Sequence, residues 1–429
     1  MKKRYIASAV IAGLLAAPYF AGMVAKHRMY DLIAQFPAQQ NMEVRFENYN
    51  QGWFNSTADL TVNITEEIPE QDIALEITFV SKQIMQHGPV LWQANGLGFG
   101  LVDIDFEFDL KHNIPETLDF SHDFNNEKLN SWTRVNFLGD MASEMSLAQV
   151  NMQMEDTQIT VKPISMQSSV TLDGALKFDG AMQGFEIKAL NGQTFTLGKT
   201  TFTGDQQVVR GNIFQYNAIT VGTSSAAIES IKMNAAEQMQ SVYIDNLDVV
   251  SNSHQKDDLM FADVALTADK IDAIGQTFTE FDYQIALNKI SINAYENIQN
   301  IMVNSQSDPE QMLVAMQTAL PELLTTGPNI NISNLSVNTE QGPINSDLNI
   351  VIDESLYQAN NPMSMILALK ADAKGKAPIE FFESLGMGEN LEILLIQNLL
   401  VQEQEFVKFN FTFENGQALI NGMPMPLGF

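Results

Sequence analysis

Hydrophobic and polar positions alternate along much of the chain, which is the pattern of half-buried β-strands. The apolar positions of the clearest run are Val102, Ile104, Phe106, Phe108 and Leu110. The carboxylates between them are Asp103, Asp105, Glu107 and Asp109. Because side chains alternate between the two faces of a strand, this run predicts one apolar face and one acidic, solvated face. Alternate carboxylates stand about 6.6–7 Å apart on a strand, too far for all four to converge on one ion, so no metal site is predicted.

Short alternating runs separated by turn signals continue from Met145 to about Val250, and a similar pattern returns from Val242 to Asn293. The turn signals are Asp173-Gly174, Asp179-Gly180 and Asn191-Gly192. Asp-Gly and Asn-Gly supply the positive φ angles of tight hairpin turns. The pattern therefore predicts an antiparallel meander that is β-rich to about residue 293.

Helical periodicity is confined to the later part of the chain, at about 293–325 and 377–402. Asp308 and Pro309 are start signals for a stripe of Met312, Met316, Leu320 and Leu323, and Gly327-Pro328 ends it. The second segment has a stripe of Leu391, Leu394, Leu395 and Leu399. We expect both stripes to cover one face or end of the sheet, the alternative being a lid or a partner contact. Alternation then resumes in a C-terminal β-hairpin predicted at 405–423.

The stretch from Tyr5 to Ala25 contains no charged residue and follows Lys2-Lys3-Arg4. As a helix rising about 1.5 Å per residue it spans roughly 31 Å, which matches a bilayer hydrocarbon core of about 30 Å. The alternative is a cleaved signal peptide, whose apolar region is normally about 7–15 residues long. The best small-residue cleavage site, Leu15-Ala16-Ala17, is followed at once by Pro18. We therefore predict an uncleaved signal anchor at residues 1–28, with a transmembrane helix at about 5–25, although whether it is ever cleaved stays open.

A short stalk at 29–40 and a folded body at 41–429 complete the predicted organisation. Hydrophobic residues make up 45% of the chain and charged residues 17%, so the body can bury a sizeable core. After residue 28 the chain has 18 Lys and Arg against 52 Asp and Glu, a net charge of −34. Phosphate backbones and anionic lipid surfaces repel such a body, so nucleic acid is excluded as a partner. The absence of Cys excludes disulfides and thiol catalysis.

No stretch matches a catalytic or nucleotide-binding motif. The segment 192–200 has five residues between its glycines where a phosphate-binding loop has four, and a strand follows it instead of a helix. Gly96, Gly98 and Gly100 also precede a strand, so they are no dinucleotide fingerprint. The five histidines, His27, His87, His112, His122 and His254, show no metalloprotease spacing. We therefore predict no catalytic residue, no cofactor and no nucleotide.

Short motifs near the two ends of the chain identify a family resemblance. The first motifs are Asn48-Tyr49-Asn50-Gln51-Gly52-Trp53-Phe54 and His87-Gly88-Pro89, and the last are Asn415-Gly416-Gln417, Leu419 and Asn421-Gly422. With these motifs the chain resembles the YdgA family of single-span bacterial envelope proteins, whose domain has no assigned function. The resemblance implies an inner-membrane protein with a periplasmic body in a Gram-negative bacterium. The basic residues Lys2-Lys3-Arg4 ahead of the span favour a cytoplasmic N-terminus. The family supplies no catalytic residue, so the motif residues carry no predicted role.

The predicted fold is therefore mainly β with α (α+β): one N-terminal transmembrane helix, then an extended, curved antiparallel meander partly covered by a few helices. Three functions are open. The first is a non-enzymatic envelope protein that holds lipid or acyl chains on an apolar sheet face lined by residues such as Val102, Ile104, Phe106 and Phe108. The second is a structural or assembly factor that binds another envelope protein through its acidic body. The third is a hydrolase of an unrecognised type.

Overall fold

The computed structural model divides the chain into two compact units, each of which is described by itself. Unit 1 comprises Met1–Val208 and Asn212–Ala218, and unit 2 comprises Val209–Gly211 and Ile219–Phe429. The structure describes residues 2–34, 42–68, 73–92, 96–109, 129–154, 157–213, 217–234, 241–273, 275–304 and 319–425. Antiparallel strands dominate both units and a few helices accompany them, so the predicted mainly-β class with α is confirmed.

Unit 1 contains one long helix, α1 (Lys2–Ile33), and a series of short and medium strands. The strands are β1 (Met42–Gln51), β2 (Asn55–Ile68), β3 (Ile73–His87), β4 (Val90–Leu91), β5 (Gly98–Phe99), β6 (Val102–Asp109), β7 (Leu129–Val135), β8 (Met141–Leu147), β9 (Val150–Met154), β10 (Thr157–Val161), β11 (Ile164–Val170), β12 (Ala175–Met182), β13 (Phe185–Ala189), β14 (Thr194–Leu197) and most of β15 (Thr200–Arg210).

These strands pair antiparallel in the order β1-β2-β3-β6-β7-β8-β11-β12-β15. A second set pairs as β9-β10-β13-β14, and β4 pairs only with β5. In the register of β3, residues 81, 83, 85 and 87 share one face, opposite the apolar positions of β2 and β6. This shared face receives the helix.

One side of α1 packs on this face. Pro18, Gly22, Ala25, Met29 and Ile33 recur every three or four residues and so share one side of the helix. The enclosed core consists of Ala25, Phe46, Ala58, Met85, Val102 and Ile104, with Met29, Ile33, Tyr49, Leu60, Phe106 and Val135 packed around it. The helix thus continues past residue 28, the predicted end of the anchor, into the predicted stalk. Within the described residues, no helix combines the length and apolar character needed to cross a bilayer.

The helix closes the apolar face that the alternation of β6 predicts. Val102 and Ile104 are 2% and 3% exposed beneath it, so they offer no surface to an apolar ligand. Phe106 packs at the edge of the core and stacks on Phe108 with ring centroids 6.3 Å apart. Leu110 lies outside the described residues.

Unit 2 is built from long strands followed by short helices. Its strands are β16 (Ile219–Asn234), β17 (Val242–Lys256), β18 (Leu259–Ala273), β19 (Gln276–Ser291), β20 (Asn329–Thr339), β21 (Gly342–Ile352), β22 (Leu369–Pro378), β23 (Val401–Glu403), β24 (Phe406–Glu414), β25 (Gln417–Ile420) and β26 (Met423–Met425). Its helices are α2 (Ile292–Asn304), α3 (described at 319–324), α4 (Pro362–Ala368), α5 (Ile379–Ser384) and α6 (Gly388–Ile396).

The strands of unit 2 form an antiparallel meander in the order β16-β17-β18-β19-β20-β21-β22-β24-β25-β26. Of the first predicted helical stripe, Leu320 and Leu323 lie in α3, whereas Asp308, Pro309, Met312 and Met316 lie outside the described residues. The second stripe differs from expectation, because only its first member, Leu391, is buried, while Leu394 is 36% exposed. The α6 stripe therefore contributes one residue to the core.

Four of the predicted Asn-Gly and Asp-Gly turns have the positive φ that motivated them, at Gly174, Gly192, Gly416 and Gly422. Asp179-Gly180 does not form a turn, and that prediction is wrong. The strand β12 runs straight through Gly180, whose cross-strand neighbour is Phe202. A Cβ on Gly180 would overlap the Phe202 ring, so glycine here makes room for an aromatic side chain. Gly204 beneath Phe178 and Gly375 beneath Phe409 repeat the arrangement.

We expect the substitution Gly180→Ala to lower the free energy of unfolding of the full chain by about 1–3 kcal/mol, because the added methyl overlaps a packed ring. Gly388→Ala is the matched control, since its Cβ meets nothing nearer than Glu383 Cγ at 3.9 Å. Chemical denaturation of both variants in detergent measures the difference. If the interpretation is correct, Phe202→Leu partly rescues Gly180→Ala, and additive effects in the double variant would contradict it.

Candidate functional site

Polar side chains gather under α1 at the point where β3 ends. Ser56 lies at the start of β2 and His87 is the last residue of β3. Tyr49 comes from the end of β1, and Gly22 lies above them on the helix. A Cβ on Gly22 would overlap the His87 imidazole, so only glycine lets the helix backbone approach this closely.

A chain of hydrogen bonds links these residues, and we call it the His87 cluster: Gly22, Tyr49, Trp53, Ser56 and His87. Ser56 Oγ lies 2.8 Å from His87 Nε2, and the Tyr49 hydroxyl lies 2.9 Å from Ser56 Oγ and 3.1 Å from the Gly22 carbonyl oxygen. His87 Nδ1 lies 3.4 Å from the Trp53 carbonyl. Because a carbonyl can only accept, we assign the imidazole proton to Nδ1, and Nε2 then accepts from the serine hydroxyl.

Burial controls the protonation of this cluster. His87 is 2% exposed and Ser56 is 1% exposed. Removal from water lowers the pKa of His87 below its ordinary value of 6.5, although the backbone carbonyls of Trp53 and Pro18 act in the opposite direction. Burial likewise raises the pKa of the Tyr49 hydroxyl. The cluster is therefore held neutral, as its enclosed position requires.

A serine hydroxyl beside a histidine Nε2 is the geometry of an activated nucleophile, which makes this pair the candidate for a hydrolase. The third group, however, is the Trp53 carbonyl and not a carboxylate. The helix also covers Ser56 Oγ, so a substrate has no path to it while α1 is docked. Nowhere in the described part of the chain do three or more His, Cys, Asp or Glu side chains gather as a metal site would need. The geometry suits a polar seal between helix and sheet better than a catalytic centre.

The family-like residues near the N-terminus build the frame of this cluster. Asn48 adopts a φ of 54° at a β-bulge and donates a 2.8 Å hydrogen bond from Nδ2 to Asp59 Oδ2. Gly52 closes the β1–β2 turn, where its amide donates to the Asn55 carbonyl at 2.8 Å. Phe54 is exposed, but its carbonyl accepts from the His87 amide at 2.8 Å.

The residues that follow His87 hold the end of β3 against the next strands. The Gly88 amide donates to the Leu101 carbonyl at 2.8 Å, and a Cβ on Gly88 would overlap the Gly100 carbonyl. Gly88-Pro89 is a cis peptide bond, and the Pro89 carbonyl accepts from the Gly100 amide at 3.3 Å. These two residues therefore bring distant backbone segments into close contact.

The family-like residues near the C-terminus lie in turns of unit 2 and do not join the His87 cluster. Asn415 and Gly416 have φ values of 54° and 73°, and Asn421 and Gly422 have 48° and 78°. Both pairs are tight hairpin turns of the type that two consecutive positive φ angles define. Asn421 Nδ2 also donates at 2.9 Å to the Asn398 carbonyl, which fixes the segment after α6 to the hairpin. Their role in the structure is conformational.

An ion pair beside the cluster escaped the sequence analysis. Asp103 is 3% exposed and accepts two hydrogen bonds of 2.7 Å from Nε and Nη2 of Arg134. The prediction of a fully solvated acidic face is therefore wrong at Asp103. The bond to Asp103 raises the pKa of the Arg134 guanidinium. The sequence held one indication of this ion pair: Arg134 is the only Lys or Arg between Lys128 and Lys162.

Two glycines of the segment 96–100 lie against Arg134 of this ion pair. A Cβ on Gly98 would overlap the Arg134 guanidinium, and the Gly96 carbonyl accepts from Arg134 Nη2 at 3.2 Å. Close approach of a side chain thus explains Gly98, whereas a Cβ on Gly100 would overlap the Val135 carbonyl. In the same unit, the amide of Gln83 and the hydroxyl of Ser81 are buried without a hydrogen-bond partner among the described residues.

A second candidate is an apolar face of the unit 2 sheet, which we call the open face. Strand register places its side chains on one side: Ile228, Leu247, Val249, Val264, Leu266, Tyr283, Ile285, Ile332, Leu348 and Ile350. Each of them keeps part of its surface exposed, and none is fully buried. The opposite side carries polar residues such as Asp248, Asp263, Thr267 and Gln284. The sheet is therefore amphipathic, and the side chains of its apolar side are partly exposed.

Comparison with known proteins places the chain in a family. A model of a bacterial protein family of unknown function, DUF945, matches residues 1–428. The chain belongs to the DUF945 family. It is similar to the protein YdgA of Escherichia coli (strain K12), with 23% identity over 486 aligned residues that cover 100% of this chain and 95% of the relative. No solved structure matches. The resemblance to the YdgA-like family is confirmed, and the family assigns no activity to any residue.

The lowered pKa of His87 predicts a pH-dependent stability. Since the folded chain holds His87 neutral, the unfolded chain binds its proton first as pH falls below about 6.5. The contribution of His87 is therefore complete above that pH and declines below it. We expect His87→Gln to cost about 1–3 kcal/mol at pH 8, because Ser56 and Tyr49 lose a buried partner.

The measurement is thermal unfolding of the full chain in detergent between pH 8 and pH 5.5. The difference in Tm between the natural chain and His87→Gln should shrink as the pH falls. His254→Gln is the control, because His254 is exposed, and it should show no such convergence. A pH-independent difference for His87→Gln would contradict the assigned neutral state.

Proposed function

We propose that this chain is a non-enzymatic, membrane-anchored envelope protein that holds lipid or acyl chains against the open face of unit 2. The observation that carries the proposal is the run of apolar side chains from β16 to β21, which are partly exposed although Ala268 among them is buried. Large apolar patches are rare on the surface of soluble monomers unless they bind something. An acyl chain fits such a surface because it needs apolar contact and no hydrogen-bond partner.

The strand register supports this interpretation. Val249 lies opposite Leu266, Leu266 lies opposite Tyr283, and Ile285 lies opposite Ile332, so apolar side chains continue across these strands. Ser251, opposite Val264, is a polar residue at the border of this run. In unit 1, α1 covers the corresponding apolar face of the sheet and encloses Val102 and Ile104. In unit 2 the face residues stay partly exposed, which leaves some apolar surface for a ligand.

The location is part of the proposal. The uncharged stretch 5–25 behind Lys2-Lys3-Arg4 supports an anchor in the inner membrane of a Gram-negative bacterium, with the N-terminus in the cytoplasm and the body in the periplasm. The absence of an enzymatic role is supported by the closed position of Ser56 and His87 beneath α1. A hydrolase that used Ser56 and His87 would require α1 to move away, so that a substrate could reach the serine hydroxyl.

A second candidate is an assembly factor that binds another envelope protein, and a specific feature favours it. On α6, Ile393 and Ile396 are 51% and 79% exposed, next to the partly exposed Leu394. Exposed apolar side chains on one short helix form the kind of patch that a protein partner covers. This patch and the open face involve different residues, so they can be tested separately.

The open face makes a prediction for photocrosslinking in living cells. A photoreactive phenylalanine analogue at position 266 should give adducts with phosphate-labelled lipid, because Leu266 is central to the open face. The matched control is position 267, since Thr267 is on the opposite side of the same strand. Lipid adducts at both positions or at neither would contradict the lipid-holding proposal. Protein adducts at position 396 would support the assembly factor.

The anchor makes a separate prediction. A reporter active only outside the cytoplasm should be active when it is fused after Phe429, and inactive when it is fused before Met1. The membrane-bound protein should retain the peptide that contains Lys2-Lys3-Arg4, because no favourable cleavage site follows it. Mass spectrometry of the N-terminus measures this directly. A soluble protein that begins after Ala17 or Ala25 would overturn the anchor.

A further inference from the structure

Large apolar side chains are exposed at the turns along one end of the unit 1 sheet. We call them the turn tips: Trp53, Phe54, Trp92, Leu97, Phe99, Phe137, Leu138 and Leu172. Each is between 49% and 76% exposed. Single exposed apolar residues are common on proteins, but a row of eight along one edge is not.

The topology explains why the turn tips share one end. In the strand order β1-β2-β3-β6-β7-β8-β11-β12, the connections β1–β2, β3–β6, β7–β8 and β11–β12 all reverse the chain at the same end. Hydrogen bonds join neighbouring turns: the His87 amide donates to the Phe54 carbonyl, and the Leu101 amide donates to the Val135 carbonyl, each at 2.8 Å. The turn tips therefore form one continuous surface.

This surface is almost free of charge, in a protein with a formal net charge of −29. The sequence from Gly88 to Leu101 contains no Asp, Glu, Lys or Arg. The carboxylates nearest the tips are already engaged, since Asp140 accepts from the Leu172 amide at 3.0 Å and Asp173 accepts from the Thr171 hydroxyl. These hydrogen bonds leave both carboxylates anionic, so this end of the sheet offers no attraction to anionic lipid headgroups.

The direction of α1 indicates what covers the turn tips. Tyr30 contacts Phe46 in the middle of β1, with ring centroids 5.2 Å apart, whereas Tyr19 contacts Trp53 in the β1–β2 turn at 5.3 Å. The helix thus runs antiparallel to β1, and its residues ahead of Pro18 lead beyond the turn tips. Those residues include the uncharged stretch 5–17 of the proposed anchor.

Length adds a second argument. With Pro18 to Ile33 docked on the sheet, only residues 5–17 remain uncharged and free to enter a membrane, and as a helix they reach about 20 Å. A bilayer hydrocarbon core is about 30 Å thick. The docked helix can approach a span only if the end of the sheet itself sinks into the membrane interface.

We propose that the turn tips are a membrane-docking surface that inserts into the interfacial layer of the lipid bilayer from which α1 emerges. Tryptophan and other aromatic rings are favoured at that depth, because one part of the ring is apolar and the surroundings are partly wet. Docking of this kind depends on the burial of apolar side chains and not on charge. The negative charge of the body therefore does not prevent it. The inference rests on the proposed membrane anchor and is independent of the lipid-holding open face.

The test uses the full chain reconstituted in phosphatidylcholine vesicles whose acyl chains are brominated near the headgroup. Bromine quenches tryptophan fluorescence at short range. The chain has three tryptophans, of which Trp132 is 9% exposed within the sheet while Trp53 and Trp92 are turn tips. We expect strong lipid-dependent quenching of the natural chain and loss of most of it in Trp53→Phe/Trp92→Phe, which leaves Trp132 as an internal control.

The possible outcomes separate the proposals. Equal quenching in the natural chain and the double variant would overturn docking by the turn tips, and so would no quenching in a chain that alkaline carbonate fails to extract from the vesicles. A chain that carbonate releases would remove the anchor itself. Because Phe replaces Trp at exposed positions, the double variant should fold, and an unchanged Tm verifies this. Insertion driven by apolar burial also predicts that high salt leaves the quenching unchanged.

Discussion

The close contact between α1 and the end of β3 is the constraint on which unit 1 depends. Gly22 lets the helix backbone reach the His87 ring, and this approach brings the Gly22 carbonyl within hydrogen-bond distance of Tyr49. Buried polar groups must find partners, and Ser56, Tyr49 and His87 find them in one another. A shift of the helix would break these bonds and open the core below. The polar cluster thus fixes the position of the helix, while the apolar core supplies most of the favourable free energy.

The apolar side of an amphipathic sheet needs to be covered, and the two units differ in how far it is. In unit 1 the helix covers it and creates an enclosed core around Met85. In unit 2 the apolar side chains from β16 to β21 remain half exposed. Exposed apolar surface is unfavourable in water, and this is the basis of the lipid-holding proposal. The turn tips of unit 1 form a second exposed apolar surface, on which Tyr19 of α1 packs against Trp53.

Glycine has two distinct uses in this chain, and they differ in what a sequence can reveal. At Asn415-Gly416 the backbone needs a positive φ, and the dipeptide itself signals a turn. At Gly180 and Gly98 the backbone could accept other residues, but a Phe202 ring and the Arg134 guanidinium occupy the space of a side chain. Those partners are 22 and 36 residues away in sequence. A local pattern therefore misassigns the first as a turn and leaves the second unexplained.

Local patterns determined the strand-rich class, the C-terminal hairpin turns and the family, because alternation and Asn-Gly pairs act over a few residues. The uncharged stretch 5–25 also stands out in the sequence, yet only the tertiary structure shows Pro18, Gly22 and Ala25 against the sheet. The burial of Asp103, the Ser56–His87 bond and the row of turn tips likewise required the fold. Each of these three features brings together residues from separate strands. The register of those strands depends on long-range pairing and on which element packs against each apolar face.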